Sequence, residues 1–289
     1  MIINTILQSM IYVPLILGIF LSFKLLKLTD LTADGSFVLG AAIYARLISD
    51  GYYYGISIIL GILGGFTVGV ILAFIQKNNR VPSIVASILC VFMLYSVNIL
   101  IMGRPNISLI PYDTYFSLLM DTNETLANIA VLSIIMIISI IFFILVSSKL
   151  GLIIRAFGTN YQLTKEQCYR PELVRLIGLG ISNALYALSG ILLVHIQNFA
   201  DVNMGLGIAL IGIGSVIIGL QLFISVGFID INRFYGKREI LSCIVGIFFY
   251  FLLVNILLKL SIDPTILKLI LGIILTLTFT FKIKGVVNE

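Results

Sequence analysis

Tryptophan is absent from this 289-residue chain, histidine occurs once and cysteine three times. Cys90, Cys168, Cys243 and the lone His195 are far apart, so no His/Cys cluster has metal-ligand spacing. The odd number of thiols, in apolar or basic stretches, lacks the pairing pattern of a disulfide scaffold and reads as free cysteines. Charge is equally scarce, at 11% of residues, against about a quarter in an average soluble domain. Also missing are a Walker A sequence, GxSxG and HExxH, so hydrolytic, metalloenzyme and nucleotide-burning chemistry have no residues to carry them. The chain reads as neither an enzyme nor a cofactor or metal carrier.

What fills the chain is apolar: 60% hydrophobic residues and a mean hydropathy of +1.16. Unbroken apolar runs of about 20 residues are the length of a helical membrane span, and they lack the alternation of an outer-membrane barrel strand. The fold class is therefore all-α, a polytopic helical membrane protein forming a single domain over 1–289, in contact with membrane lipid. Nine segments are expected, near 2–23, 35–49, 54–76, 82–102, 126–148, 174–197, 204–225, 240–258 and 263–281. The first has no basic stretch before it and no small-residue cleavage site, so it reads as a retained span.

The largest polar island, 149–175, carries Lys149, Arg155, Lys165, Arg170 and Arg175 against Glu166 and Glu172. Lys and Arg beside spans mark loops kept in the cytoplasm. Fixing this loop inside also places Lys24, Lys27, Lys77, Arg80, Arg233, Lys237, Arg238, Lys282 and Lys284 inside. Asp50, Asp113, Asp121, Glu124, Asp201 and Asp263 then fall outside, as does the amino end, while the carboxyl end is cytoplasmic. The +5 net charge is thus membrane orientation, not a nucleic-acid footprint. The longest outer segment, 104–125, suits either a chain lying along the interface or a plain surface loop.

Two segments depart from simple spans. The run 35–49 is short; begun at Asp34 it spans only about 22 Å, so it is either a discontinuous helix or one with its ends drawn inward. The run 204–225 is interrupted by Gly205, Gly207, Gly212, Gly214 and Gly219, so it too either crosses fully or is a half helix. Two Gly-broken segments in opposite halves point to a transport path. Gly61, Gly65 and Gly69 stack on one helix face and mark close packing, within one subunit or between two. The spans carry few ionisable groups, whereas ion-coupled carriers need them inside the bundle. Uphill transport would draw its energy from a separate ATPase.

Four blocks then resemble one family. DLTADGSFVLGAA at 30–42, GLIIRAFGTN at 151–160, LGISNALYALSGILL at 179–193 and FADVNMGLGIALIGIGSVIIG at 199–219 are similar to permeases of ATP-binding-cassette importers. The group is that of branched-chain amino acid, ribose and tryptophan/tyrosine permeases, in its compact branch. The resemblance implies a bacterial plasma (inner) membrane permease for a small solute of the amino-acid kind, with an aromatic one favoured, working by alternating access. Its partners would be two ATPase subunits, a second permease copy and an extracytoplasmic solute-binding protein. It also implies that 149–175 couples to the ATPase, with Gly158, Thr159 and Asn160 as a turn and 161–172 as the coupling helix. Arg155, Lys165, Glu166 and Arg170 would make the polar contacts. In this helix the chain departs from relatives, with Lys165, Glu166, Gln167, Cys168 and Tyr169 where small residues and a glycine are usual.

The substrate path is expected at Asp34, Gly35 and Ser36, with Asn98 and Asn183 as neutral partners. Asp34 either attracts a substrate ammonium or caps its own helix. Asp201 and Asn203 lie in an outer loop, where a binding protein or entering solute would meet them. The alternative reading is a secondary carrier or channel working without an ATPase.

Overall fold

The structure, a computed structural model, describes residues 2–77, 81–112, 124–166, 170–228 and 236–260, with positions 269, 272, 273 and 276 beyond them. The apolar run 263–281 as a span, and Arg80, Asp113, Asp121, Gln167, Cys168, Tyr169, Arg233, Asp263, Lys282 and Lys284, lie outside the described residues.

The chain enters as α1 (Ile2–Ile11) and α2 (Val13–Ile19), which runs on into a π turn (Phe20–Leu25). Pro14 has no amide hydrogen to donate back along the helix, so the ladder breaks at Tyr12 and the axis bends by 45°. Next come α3 (Ala33–Ser49), α4 (Tyr54–Ile75), α5 (Ser83–Met102) and α6 (Glu124–Ser147). Two shorter helices follow, α7 (Lys149–Thr159) and α8 (Tyr161–Glu166), and then the long α9 (Pro171–Gln197). A 3-10 turn (Val202–Gly205) leads into α10 (Ile208–Ser225), and α11 (Lys237–Lys259) completes the bundle.

Among the described residues, six helices are long and apolar enough to cross a membrane, or seven if the bent α1–α2 pair is one span. These seven fall where the apolar runs placed them. The expected count of nine is not confirmed among the described residues: α3 has only 17 residues, and the last run lies outside them.

The core is built around α9, whose most apolar window is 72% buried, against 22% for α6. It is flanked by α2, α3 and α4. Glycine makes these contacts possible: a Cβ at Gly69 would run into the Leu179 carbonyl, and one at Gly65 into the Asn183 carbonyl. The Gly61, Gly65 and Gly69 face therefore packs α4 against α9 of the same subunit, where backbones approach without side chains between them. Phe92, Leu100 and Ile144 point outward from α5 and α6, as side chains bathed in hydrocarbon do.

The two ends of the bundle differ. At one end β1 (Asn106–Ser108) pairs antiparallel with β2 (Phe199–Asp201), Asn106 opposite Asp201 and Ser108 opposite Phe199. The first residues of 104–125 thus pair as a strand, which neither sequence reading of that segment anticipated. The opposite end carries α7, α8 and the exposed Lys24, Lys27, Lys165 and Arg170. We call them the ribbon end and the basic end.

Candidate functional site

The site begins where a helix stops early. Lys27 takes a left-handed φ of 53° and ends the π turn, and the chain then runs without regular structure through 28–31. This stretch folds back into the bundle. Asp30 is 3% exposed and Thr32 fully buried. Asp30 Oδ1 accepts from the Thr32 amide at 2.9 Å, an Asx turn that sets the direction in which α3 starts.

Asn183 of α9 gathers this foot. Its Nδ2 donates to Asp30 Oδ2 at 3.1 Å and to the Leu179 carbonyl at 3.0 Å. Its Oδ1 accepts from Thr32 Oγ1 at 2.8 Å and Ser36 Oγ at 2.6 Å. Asn183 stands roughly 18 Å from the start of α9 and 21 Å from its end at 1.5 Å per residue. So α3 begins inside the bundle, as the discontinuous-helix reading required. Irregular backbone at membrane depth is tolerated because protein surrounds it.

Asp34 lies in the first turn of α3, and its carboxylate reaches a second helix start. Oδ2 accepts from the Gly207 amide at 3.1 Å and Oδ1 from the Ala209 amide at 2.7 Å. Gly207 is the N-cap residue of α10, with φ 84°, a conformation open to glycine. Asp34 thus caps α10 and not its own helix, whose N-cap residue, Thr32, makes no side-chain cap bond. One negative charge faces the positive ends of two helices, α3 and α10. Gly205 fits because a Cβ there would meet the Asp34 carbonyl and Val38.

The α5 side closes the group. A Cβ on Gly35 would lie 2.6 Å from Leu94, so α3 and α5 touch at this glycine. Asn98 Nδ2 donates to the Gly35 carbonyl at 3.1 Å, while its Oδ1 is buried without a partner. All five residues expected on the path, Asp34, Gly35, Ser36, Asn98 and Asn183, meet around the foot of α3. Sequence reasoning missed Asp30 and Thr32, whose Asp-x-Thr spacing was the available sign of an Asx turn, and it missed the α10 amides. Asp201 and Asn203 sit apart at the ribbon end, where Asp201 Oδ1 accepts from the Asn203 amide at 2.7 Å and Oδ2 faces Asn106.

The basic end holds the expected coupling segment. Gly158 lies within α7 and not in a turn; the break comes at Asn160, with φ −155° and ψ 105°. The glycine is required because a Cβ there would strike the Leu25 carbonyl. Of the coupling helix expected over 161–172, α8 covers Tyr161–Glu166, 167–169 lie outside the described residues, and Glu172 belongs to the first turn of α9. Lys165, Glu166 and Arg170 are exposed, and Arg155 is half-buried. Arg175 donates to the Gln76 carbonyl and lies 5.6 Å from the centre of the Phe157 ring. Lys77 approaches Glu172 at 3.7 Å. The segment is thereby tied to the end of α4 and, through Leu25, to the chain that becomes the foot of α3.

His195 is a packed side chain, its Nδ1 3.3 Å from the Tyr44 hydroxyl. Cys90 and Cys243 are buried and free.

Membrane-length helices closed around a buried polar junction, at which the short α3 and the membrane-length α10 both start, define a polytopic helical membrane protein of the transport type. The chain belongs to the family described as Branched-chain amino acid transport system / permease component, whose model matches residues 1–280. It is 46% identical over 273 residues to an uncharacterized protein of Rickettsia prowazekii (strain Madrid E), covering 94% of each chain. It is 32% identical over 274 residues to the Tyrosine transport system permease protein of Clostridioides difficile (strain R20291), covering 95% of this chain and 88% of that one. No solved structure matches it.

Proposed function

We propose that the chain is the permease subunit of an ATP-driven importer for an amino acid, with an aromatic amino acid favoured, working with two ATPase subunits, a second permease copy and an extracytoplasmic solute-binding protein. Membership of the permease family supports the class, and the relative named for tyrosine transport supports the solute. The basic end is cytoplasmic by the positive-inside rule, with the amino end outside.

One observation carries the mechanism: α7 packs, at Gly158, directly on the Leu25 carbonyl, and seven residues later the chain is the foot of α3. A push on α7 and α8 by a closing ATPase pair therefore reaches the foot through the short buried-ended stretch 26–31, anchored at Leu25 and at Asp30. There Asp34 holds the α10 amides in the present arrangement. As α3 and α10 shift, its carboxylate meets the ammonium of the solute, and Asn98 Oδ1 offers a neutral acceptor beside it. Interactions of this kind favour one state over the other only through different contacts in each.

The test is replacement of 158–170 by a flexible linker of equal length, followed by ATPase co-purification and uptake into proteoliposomes holding all subunits. Loss of both is expected, and survival of both overturns the coupling role. Ion-gradient-driven uptake by this chain alone would mark a secondary carrier instead.

A further inference from the structure

We infer that Asp30 holds a resident proton, so that the foot of α3 is fixed to α9 by a neutral carboxylic acid and not by a carboxylate. The inference stands on hydrogen-bond geometry and is independent of the transported solute.

Three contacts between oxygens meet here. Asp30 Oδ1 touches Thr32 Oγ1, Thr32 Oγ1 lies 2.8 Å from Asn183 Oδ1, and Ser36 Oγ lies 2.6 Å from the same Asn183 oxygen. Each contact needs one hydrogen between its two oxygens. The Thr32 and Ser36 hydroxyls bring one each, and an amide oxygen brings none. Two hydrogens serve three contacts, and the third has one available source, the Asp30 carboxyl. Without it two sets of lone pairs face each other among side chains at most 3% exposed.

Turning the Asn183 amide over does not remove the shortage. Its oxygen would then face Asp30 Oδ2 at 3.1 Å and the Leu179 carbonyl at 3.0 Å. The first of these again needs a hydrogen from Asp30, and the second has none at all. The proton is required in either orientation.

The surroundings agree. Tyr186 of α9 directs its hydroxyl at the Asp30 carboxyl and lies 2.9 Å from Ser22 Oγ on the π turn. Cys90 of α5 also lies close enough to feel the Asp30 carboxyl. Both are neutral or, when ionised, negative, and Asp34, four residues on, adds a carboxylate turned toward α10. Among the described residues no lysine or arginine pairs with Asp30. A buried carboxylate with no cation is far costlier than a buried acid with every oxygen bonded. Asp30 is thus a positioning residue: its proton completes the set of bonds that orients Asn183, and Asn183 holds Thr32 and Ser36 on either side of Asp34.

The measurement is infrared spectroscopy of the purified full chain in lipid nanodiscs at neutral pH, unlabelled and with carboxyl-13C aspartate. The expected result is a protonated-carboxyl C=O band that shifts on labelling, disappears in Asp30→Asn and persists in Asp34→Asn. Asp30→Asn donates where the acid does but turns its NH2 toward the Thr32 amide, so its melting transition lies below that of the unsubstituted chain and above that of Asp30→Ala. Should Asp30→Asn fail to fold, the isotope shift in the unsubstituted chain and its persistence in Asp34→Asn still decide. Absence of a label-sensitive band at neutral pH, or its loss in Asp34→Asn, overturns the proposal.

Discussion

Asp34→Ala and Asp34→Asn separate the two roles open to this carboxylate. In Asp34→Ala the amides of Gly207 and Ala209 lose their acceptors together. Removing an N-cap side chain costs about 0.5–2 kcal/mol. Loss of a negative charge from a helix start adds about 0.3–1 kcal/mol, and two helices start here. The sum is about 1–4 kcal/mol. In Asp34→Asn the amide oxygen can keep the shorter bond, to Ala209, while its NH2 faces the Gly207 amide, so the loss is about 1 kcal/mol for one bond together with the charge. At about 2–4 °C per kcal/mol for a chain of this order of size, Asp34→Ala should melt roughly 2–16 °C lower and Asp34→Asn a few degrees lower. The assay is thermal unfolding of the purified permease in detergent, run beside ATP-driven uptake in proteoliposomes. Both variants melting within a degree of the unsubstituted chain would refute the cap. If Asp34→Asn stays folded and uptake falls sharply, the charge also serves the solute; unchanged uptake leaves the cap alone.

Gly158→Leu forces a side chain against the Leu25 carbonyl; the account expects ATPase subunits still to co-purify while hydrolysis no longer responds to the solute-binding protein, read by phosphate release. Gly69→Val meets the Leu179 carbonyl, which belongs to backbone and has little room to move. It should cost about 1–3 kcal/mol or more and lower the yield of folded protein by size-exclusion chromatography, whereas Thr67→Val on the exposed face of α4 should not. Glu172→Gln removes a partner from a pair whose side chains are 53% and 45% exposed. The melting temperature should move by less than about 1 kcal/mol allows, and a large drop would mean that this pair carries more than its exposure permits.

The spans were legible because burial in hydrocarbon demands long apolar runs, and the seven that the fold reproduces announce themselves by length alone. The short α3 was legible for the same reason, since 17 residues fall short of a membrane. So was the face of Gly61, Gly65 and Gly69, whose spacing only close backbone packing explains. The foot of α3 was only half legible. Asp34, Asn98 and Asn183 were singled out as polar residues in apolar surroundings, but the partners of Asp34 are amides 173 and 175 residues further along, which no local pattern reveals. Asp30 was not singled out at all, because only the fold shows that 28–31 turns back into the bundle and buries it. The resemblance placed Gly158 in a turn, whereas here its missing side chain admits the Leu25 carbonyl from elsewhere in the same chain.

The central claim is that α7 and α8 form a cytoplasmic handle gripped by an ATPase. It is tested most directly by Lys165→Cys, in a chain with Cys168→Ser, treated with a membrane-impermeant maleimide. The account predicts no labelling in intact cells, labelling in inside-out vesicles, and protection there when the ATPase subunits are bound. Labelling of Cys at 165 in intact cells would put the handle on the wrong face of the membrane and contradict the account.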